Sequence, residues 1–481
     1  MPFGGTWRQT ATTLFTLVAL GMVACKPKPS SKDESDNEKG ARDTAATEHA
    51  AATSATPSAG AGSPVVQDRR FLFAVNTKAP VTPQQIADAK SIIEKAAPGI
   101  AFVDDPGVGK TGISLIAPPP DQIEPPDENT IRYFGRGFDG SSAERARSMR
   151  GALGIGWNLD ADPKLERLRA AQSSVKAFAE KMDGFIWDDA TRELFTPAAF
   201  DSQRIAGWDS GYPDMRGQIT IHYYENEGRH RAVTLGMEKF GAPDLVIQDV
   251  PISQSNRGSH VRNVAAQLIV EGASIGSNGE LVLDLAAIKH APTKAYYSGL
   301  DPSASHKTTI HLAAAKPEEG DAMNRLLEIR FPNGAGATEW ERLAAAADAL
   351  VGAPKDTPTA VAENDPELAA IKLRVQAKLP ELAAAIQKGL PLGESISVKA
   401  PFDTDDGGVE WMWVSVTKWE GDTVHGVLDN APAGIKSLKI GAPVTVKQSA
   451  IADYVRHKAD DSLEGGESIK VLDRRSPITP R

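Results

Sequence analysis

The chain has 481 residues, of which 41% are hydrophobic and 24% charged, with a formal net charge of −10 and a pI near 5.5. That length exceeds one hydrophobic core and implies two or three folded units of ordinary globular composition. The acidic balance offers no basic footprint for nucleic acid and no purchase on anionic lipid, and a single cysteine excludes an intramolecular disulfide.

The first predicted element is Leu14–Cys25, LFTLVALGMVAC, an apolar run behind a short segment carrying Arg8. About a dozen apolar residues are too few to span a ~30 Å hydrocarbon core, and the flanks are those of an export signal. Met22-Val23-Ala24-Cys25 resembles the lipobox of bacterial lipoproteins. The resemblance implies a signal peptide over 1–24, acylation of Cys25, and a membrane contact made through that residue. Lys26 stands where an Asp acts as an inner-membrane retention signal in enteric bacteria, which favours the outer membrane, facing the periplasm. The segment that follows Cys25, to residue 66, is rich in Lys, Ser, Asp, Glu, Ala, Thr and Pro and has few large apolar side chains. Such a composition cannot offset its ordering entropy and reads as a disordered tether, with a reach of roughly 35 Å.

Order is expected from about residue 67 to 352. Phe71–Val75 reads as a strand, and Thr82-Pro83-Gln84-Gln85 as a capping box opening a helix with Ile86 and Ile93 on its apolar face. Pro98-Gly99 stops that helix, Ile100–Val103 reads as a second strand, and Thr130–Phe134 as a third after a proline-rich loop. A second such unit follows: strand Ala152–Trp157, a helix opened by Asp162-Pro163, and strand Phe185–Trp187. The helix carries Leu165, Leu168, Ala171, Val175, Phe178 and Met182 at three- and four-residue steps. Thr196-Pro197 opens a short helix holding Phe200, and Gln218–Tyr224 with His230–Met237 reads as a hairpin around Asn226-Glu227-Gly228. Beyond it Val261–Val270 and Trp340–Leu350 read as helices, Leu281–Leu285 and Thr308–Leu312 as strands. Helices and hairpins intermixed in this order predict an α+β class with mixed sheets, in one body or two subdomains. The segments GALGIGW, GFIWDDATRELFTPAAF and VTLGMEKFG resemble a family of uncharacterised bacterial domains, which implies a fold and no chemistry.

Residues 353–366 read as a linker, 367–472 as a β-rich C-terminal domain, and 473–481 as a disordered tail. A helix over Glu367–Leu390, broken or restarted at Pro380, precedes short strands at Ser395–Val398, Val409–Trp419, Thr423–Leu428 and Pro443–Val446. The combination of GGVEWMWV from Gly407, GDTVHGVLDNAP from Gly421, GAPVTV from Gly441 and Ile451-Ala452-Asp453-Tyr454 resembles the YegJ-like family of bacterial domains. Pro443 and Tyr454 depart from that pattern. The resemblance implies a small, strongly bent sheet with a helix, and no catalytic role.

Candidate chemistry is sparse. Gly107-Val108-Gly109-Lys110-Thr111 copies the end of a phosphate-binding loop, but Asp104 takes the place of its first glycine and Gly112–Ile116 reads as β rather than helix. Gly272-Ala273-Ser274-Ile275-Gly276 fits the letters of a nucleophile elbow without the strand before it or the helix after it. The histidines show no helical ligand spacing, and His222 and His230 fall out of register on their hairpin, so neither metal nor cofactor is expected. In the C-terminal domain Trp411, Trp413 and Trp419 sit with Glu410, His425 and Asp429. Alternation puts Trp411 and Trp413 on one face and Met412 and Val414 on the other. Paired tryptophans on a small sheet are expected as core, and the other reading is an exposed aromatic platform for a glycan, peptide or protein. The sequence favours a non-catalytic binding or scaffolding protein recognising an envelope protein or glycan. The alternative is an envelope hydrolase whose carboxylates and histidine meet only on folding.

Overall fold

The computed structural model describes residues 62–65, 69–104, 111–160, 164–226, 229–251, 254–318, 320–353, 365–391, 394–430, 432, 434–439, 441–458 and 463–475. The lipobox, Cys25, most of the expected tether and the Gly109-Lys110 turn lie outside them.

Apolar residues on both faces of Arg69–Thr77 make this segment, β1, a central strand: Phe71, Phe73 and Val75 enter the main core, and Ala74 a smaller cluster behind it. The other strands of its sheet are β2 (Gly112–Ile116), β3 (Gly135–Arg136), β4 (Gly151–Leu159), β5 (Phe185–Asp188) and β6 (Glu193–Phe195). They lie in the order β2-β4-β1-β5-β6-β3, antiparallel except for β3 beside β6. Four helices belong to this part: α1 (Pro83–Ala96), α2 (Glu128–Phe134), α3 (Gly140–Arg147) and α4 (Glu166–Lys181). The expected capping box opens α1, with Thr82 Oγ1 accepting from Gln85 N–H at 3.3 Å and Gln85 Oε1 from Thr82 N–H at 2.8 Å. Leu168, Ala171, Val175 and Phe178 of α4 are sealed in the core, as their spacing predicts.

Two expected strands differ. Thr130–Phe134 belongs to α2, because the Asp127 carboxylate accepts the Thr130 N–H at 2.7 Å and Glu128 occupies the first turn. Ile100–Val103 contributes only a bridge at Phe102, opposite Ile113 of β2. The strand–helix–strand reading fails there, since β2 arrives from further along the chain.

After the short α5 (Pro197–Phe200) and a ribbon of β7 (Trp208–Asp209) with β8 (Tyr212–Pro213), a second six-stranded sheet begins. Strands β9 (Thr220–Asn226), β10 (Arg229–Leu235) and β11 (Asp244–Pro251) form one antiparallel meander. Strands β12 (Glu280–Asp284), β13 (Lys307–Ala315) and β14 (Leu326–Arg330) form another, joined through the parallel pair β11–β14. His222 stands opposite Val233 and His230 opposite Glu225, out of register as expected. Helix α6 (Ser255–Val270) lies against β11; further on come α7 (Ala291–Leu300) and α8 (Glu339–Val351), the latter packed on α6 and β13. One hydrophobic core runs from Phe71 to Val351 through both sheets.

The third sheet has its own core. It is antiparallel throughout, with β15 (Ser395–Asp403), β16 (Val409–Glu420), β17 (Thr423–Leu428), β18 (Pro443–Lys447), β19 (Asp453–His457) and β20 (Leu463–Gly465) in the order β18-β17-β16-β15-β19-β20. Helix α9 (Pro366–Lys388) seats Ile371, Val375, Leu379 and Leu382 on one face of it, and α10 (Glu467–Arg475) packs beside α9. The chain is α+β in class. Two hydrogen bonds link α9 to α2: Arg132 Nη2 donates to the Gly389 carbonyl at 2.8 Å and Tyr133 Oη to the Lys388 carbonyl at 3.1 Å.

The expected break at Pro380 does not occur, and α9 runs through it with the proline on the exposed side. Its missing N–H and the ring's crowding of the preceding turn fall on the exposed side of the helix, away from the core. Pro380→Ala restores that bond, and the C-terminal unfolding transition is expected to gain about 1–3 kcal/mol. Urea denaturation followed by tryptophan fluorescence measures it.

Candidate functional site

Register with β15 decides which face of β16 is core. Val414 lies opposite Val398 and Met412 opposite Ala400, all four buried beneath α9. Trp411 and Trp413 therefore point away from that core, contrary to the expectation that they fill it: Trp411 is 43% exposed, Val409 beside it 56%, and Trp413 half-buried. The small residues Ala400 and Gly426 and the branched side chains around them already fill the space under the helix. A bulge between Val416 and Lys418 then shifts the alternation by one residue, so Trp419 turns inward. It is buried, with Nε1 donating to Gln448 Oε1 at 3.0 Å. The three tryptophans divide into a platform and a core residue.

The polar residues predicted with them separate as well. Glu410 shares the parity of Met412, on the helix side, and its Oε2 accepts the Gly434 N–H at 2.9 Å. His425 pairs with Lys418, where Nε2 lies 3.4 Å from Glu420 Oε2 and Nδ1 3.3 Å from Thr445 Oγ1. That row is roughly 20 Å along the strand from Trp411, at ~3.3 Å per residue. Asp429 accepts from Ser397 Oγ at 2.9 Å and Ser415 Oγ at 2.7 Å, and its N–H donates to the Trp413 carbonyl. Glu410, His425 and Asp429 thus do not converge on one pocket. What the outer face does present is Trp411, Val409 and Trp413 with the Lys399 ammonium 5.6 Å from the Trp413 ring, while Lys372, reaching from α9, stands 6.0 Å from the Trp411 ring.

A second constellation escaped the sequence reading. Asp188 at the end of β5 and Glu193 at the start of β6 face Arg204, which a π-helical turn at Asp201–Ile205 carries inward. Arg204 Nε lies 3.0 Å from Asp188 Oδ2 and Nη2 2.7 Å from Glu193 Oε2, while Arg136 reaches Glu193 Oε1 at 2.7 Å. Lys239, from the 3-10 turn Met237–Phe240 between β10 and β11, completes the set with Nζ 2.6 Å from Asp188 Oδ2. Gly236 and Gly241 bracket this turn with φ of +106° and +68°, and a Cβ on Gly236 would stand 2.7 Å from Thr191 Cγ2. Asp188 and Lys239 are 0% exposed and Arg204 1%, so the network has no route to a substrate and acts as an internal clamp. Asp188 Oδ1 remains without a hydrogen bond. Burial would raise Glu193, but Arg136 and Arg204 outweigh it and hold it at about 2. The lone signal in the sequence was a concentration of charge in WDDATRE and GMEKFG, segments otherwise apolar.

Ser274 lies in irregular chain beyond the turn that ends α6, with Ile275 bridged to Gly62, so no elbow forms. Among the described residues no group of three or more His, Cys, Asp or Glu side chains is placed to hold a metal ion, and no helix is long and apolar enough to cross a membrane.

Arg204→Leu strips a partner from both buried carboxylates and is expected to cost about 3–5 kcal/mol, against at most ~1 kcal/mol for Arg145→Ala, which breaks the exposed pair with Asp183. Chemical denaturation of both variants checks the contrast. A pH signature follows from neighbouring carboxyls. Burial pushes Asp244 up to about 7, and burial with Asp244 and Asp189 nearby pushes Glu238 up to about 8. Their folded pKa values exceed the unfolded ones, so the native state holds the extra protons and loses stability as pH rises. Below about 6.5 the buried His222 and the partly buried His260, both held near 4 by desolvation, act in the opposite sense. Above about 8, Lys239, which burial brings down to about 8, also opposes the fall. The melting temperature is expected to fall between pH 6.5 and 8, and the fall to shrink in Glu238→Gln, as calorimetry across that window would show.

In the C-terminal part, residues 379–478 match the model of a family described as an uncharacterised protein conserved in bacteria (DUF2314). No curated protein and no solved structure matches the chain. The chain therefore carries a conserved bacterial domain of unknown function, spanning every strand of the third sheet and the platform on it.

Proposed function

We propose that this chain is a bacterial envelope lipoprotein, tethered to the outer membrane through Cys25, that binds or scaffolds an envelope partner through its YegJ-like C-terminal domain. The observation that carries the reading is the exposure of Trp411 and Val409 on the sheet face opposite the helix-covered core. An indole left half in water forgoes burial that the same fold gives Trp419, and tryptophan is the residue type most enriched at binding hot spots. The adjacent Lys399 ammonium and the Ser397–Ser415–Asp429 hydrogen bonds add polar orientation around it. The body spanning 67–352 and the unit spanning 367–472 have separate cores, which suits a carrier and a recognition module. A hydrolase would need Glu410, His425 and Asp429 in one pocket, and they stand apart on two faces.

The test is crosslinking in cells that express the full chain, followed by purification in detergent and identification of bound proteins and glycans by mass spectrometry. Cys25→Ser is expected to abolish metabolic labelling with a fatty acid and release the protein from membranes. Trp411→Ala, folded as judged by circular dichroism, is expected to weaken the captured partner by about 2 kcal/mol, roughly thirtyfold in Kd. An unlabelled wild type defeats the anchor, and a partner retained at full affinity by Trp411→Ala with Trp413→Ala defeats the platform.

A further inference from the structure

Helix α6 carries a guanidinium, that of Arg262, with which no carboxylate among the described residues forms an ion pair. Arg262 is 1% exposed. Its Nη2 lies 3.1 Å from Ser259 Oγ and 3.5 Å from Tyr223 Oη, Tyr297 bears on it electrostatically, and its Nε has no hydrogen-bond partner. None of these neighbours is an acid. Three other buried arginines are answered by carboxylates: Arg204 by Asp188 and Glu193, Arg136 by Glu193, and Arg231 by Asp321. An unpaired buried cation is costly to the folded state, so its persistence calls for a partner from outside the chain.

The surroundings agree. His260, two residues before Arg262, is partly buried, and the charged or basic groups that bear on it are His457, Arg216 and Arg257. Arg216 and Arg257 are matched by Asp214 and Asp348, which leaves Arg262 as the charge in excess. The hydroxyls are arranged for a shared ligand: Ser259 sits one turn before Arg262 on α6, and Tyr223 comes from the edge strand β9 with its Oη 3.0 Å from Ser259 Oγ. Both are partly exposed, which gives an ion a route from solvent at the margin of the second sheet.

We propose that Arg262, with the hydroxyls of Ser259 and Tyr223, forms a binding site for a small oxyanion, a phosphate or carboxylate group. The guanidinium offers its Nε–H and Nη groups as charge-assisted donors, and the two hydroxyls turn toward the same oxygens. The site is distinct from the tryptophan platform and stands whether or not that surface binds a partner.

The test uses the purified full-length chain with inorganic phosphate, sodium acetate or sodium chloride at equal ionic strength, read by equilibrium dialysis of labelled phosphate and by thermal unfolding. Phosphate or acetate is expected to raise the melting temperature saturably while chloride does not, and whichever of the two acts assigns the oxyanion. Arg262→Gln is expected to lose at least about tenfold in affinity and the whole of that rise. Where Arg262→Gln does not fold, Ser259→Ala and Tyr223→Phe decide, since both keep the guanidinium and remove a hydroxyl. Equal stabilisation by chloride, no response to either oxyanion, or undiminished affinity in the hydroxyl variants would overturn the assignment.

Discussion

The Asp188 carboxylate is the tie on which the two larger sheets depend. It accepts Arg204 from its own sheet's side and Lys239 from the turn between β10 and β11, 51 residues further on. Neither cation can leave without stranding a charge in a dry interior, where desolvation outweighs any single attraction. Such a network adds little stability over apolar residues of the same volume. Its effect is to make every other docking of the two sheets expensive, because only one arrangement brings Lys239, Arg204 and Arg136 against two carboxylates at once. The flanking apolar core from Phe71 to Val351 supplies the driving force, and the clamp supplies the register.

The third sheet is organised on the opposite principle. Among the described residues no ionic clamp sits in its core, where Ile371, Val375 and Leu379 of α9 meet Val398, Met412 and Val414. With one face covered by a helix and the other bare, period-two alternation decides everything, and a shift of one residue would exchange the tryptophans for Met412 and Val414. The bulge at Val416–Lys418 is such a shift, confined to one end. It lets the same strand hold Trp419 in the core and Trp411 in water. The fold thereby places an aromatic surface where apolar burial does not need it.

Legibility in the sequence followed the range of the interaction. Periodic apolar positions in α4 and the capping box of α1 are local and were read correctly, as was the hairpin register that separates His222 from His230. The parity of Trp411 against Met412 was also visible, but not which parity is buried, because that depends on β15 and α9 lying on one side. Pro380 was read as a break because local rules carry no information about exposure, and here the ring faces solvent. The charge clamp was invisible for a different reason. Its members come from four segments spread between Arg136 and Lys239, and each alone looks like an ordinary surface charge. Two of those segments, GFIWDDATRELF and VTLGMEKFG, meet at Asp188 and Lys239.

The segment misread as a strand, Thr130–Phe134, turns out to hold the contact between the first core and the third sheet. As a helix it presents the consecutive Arg132 and Tyr133 about 100° apart on one turn, and both donate to carbonyls at the C-terminal end of α9, at Gly389 and Lys388. Those carbonyls have no partner within their own helix, and a cation at a helix C-terminus also meets the negative end of its dipole. Gly389 adopts φ +84°, and a Cβ there would lie 2.6 Å from the Tyr133 hydroxyl oxygen, so only glycine allows both the left-handed turn and the close approach. The same segment in extended form would point alternate side chains to opposite faces and could bring only one of these two donors to the helix end. Its helical state, fixed locally by the Asp127 cap, is therefore what lets two separately cored parts meet through backbone groups that each would otherwise leave to water.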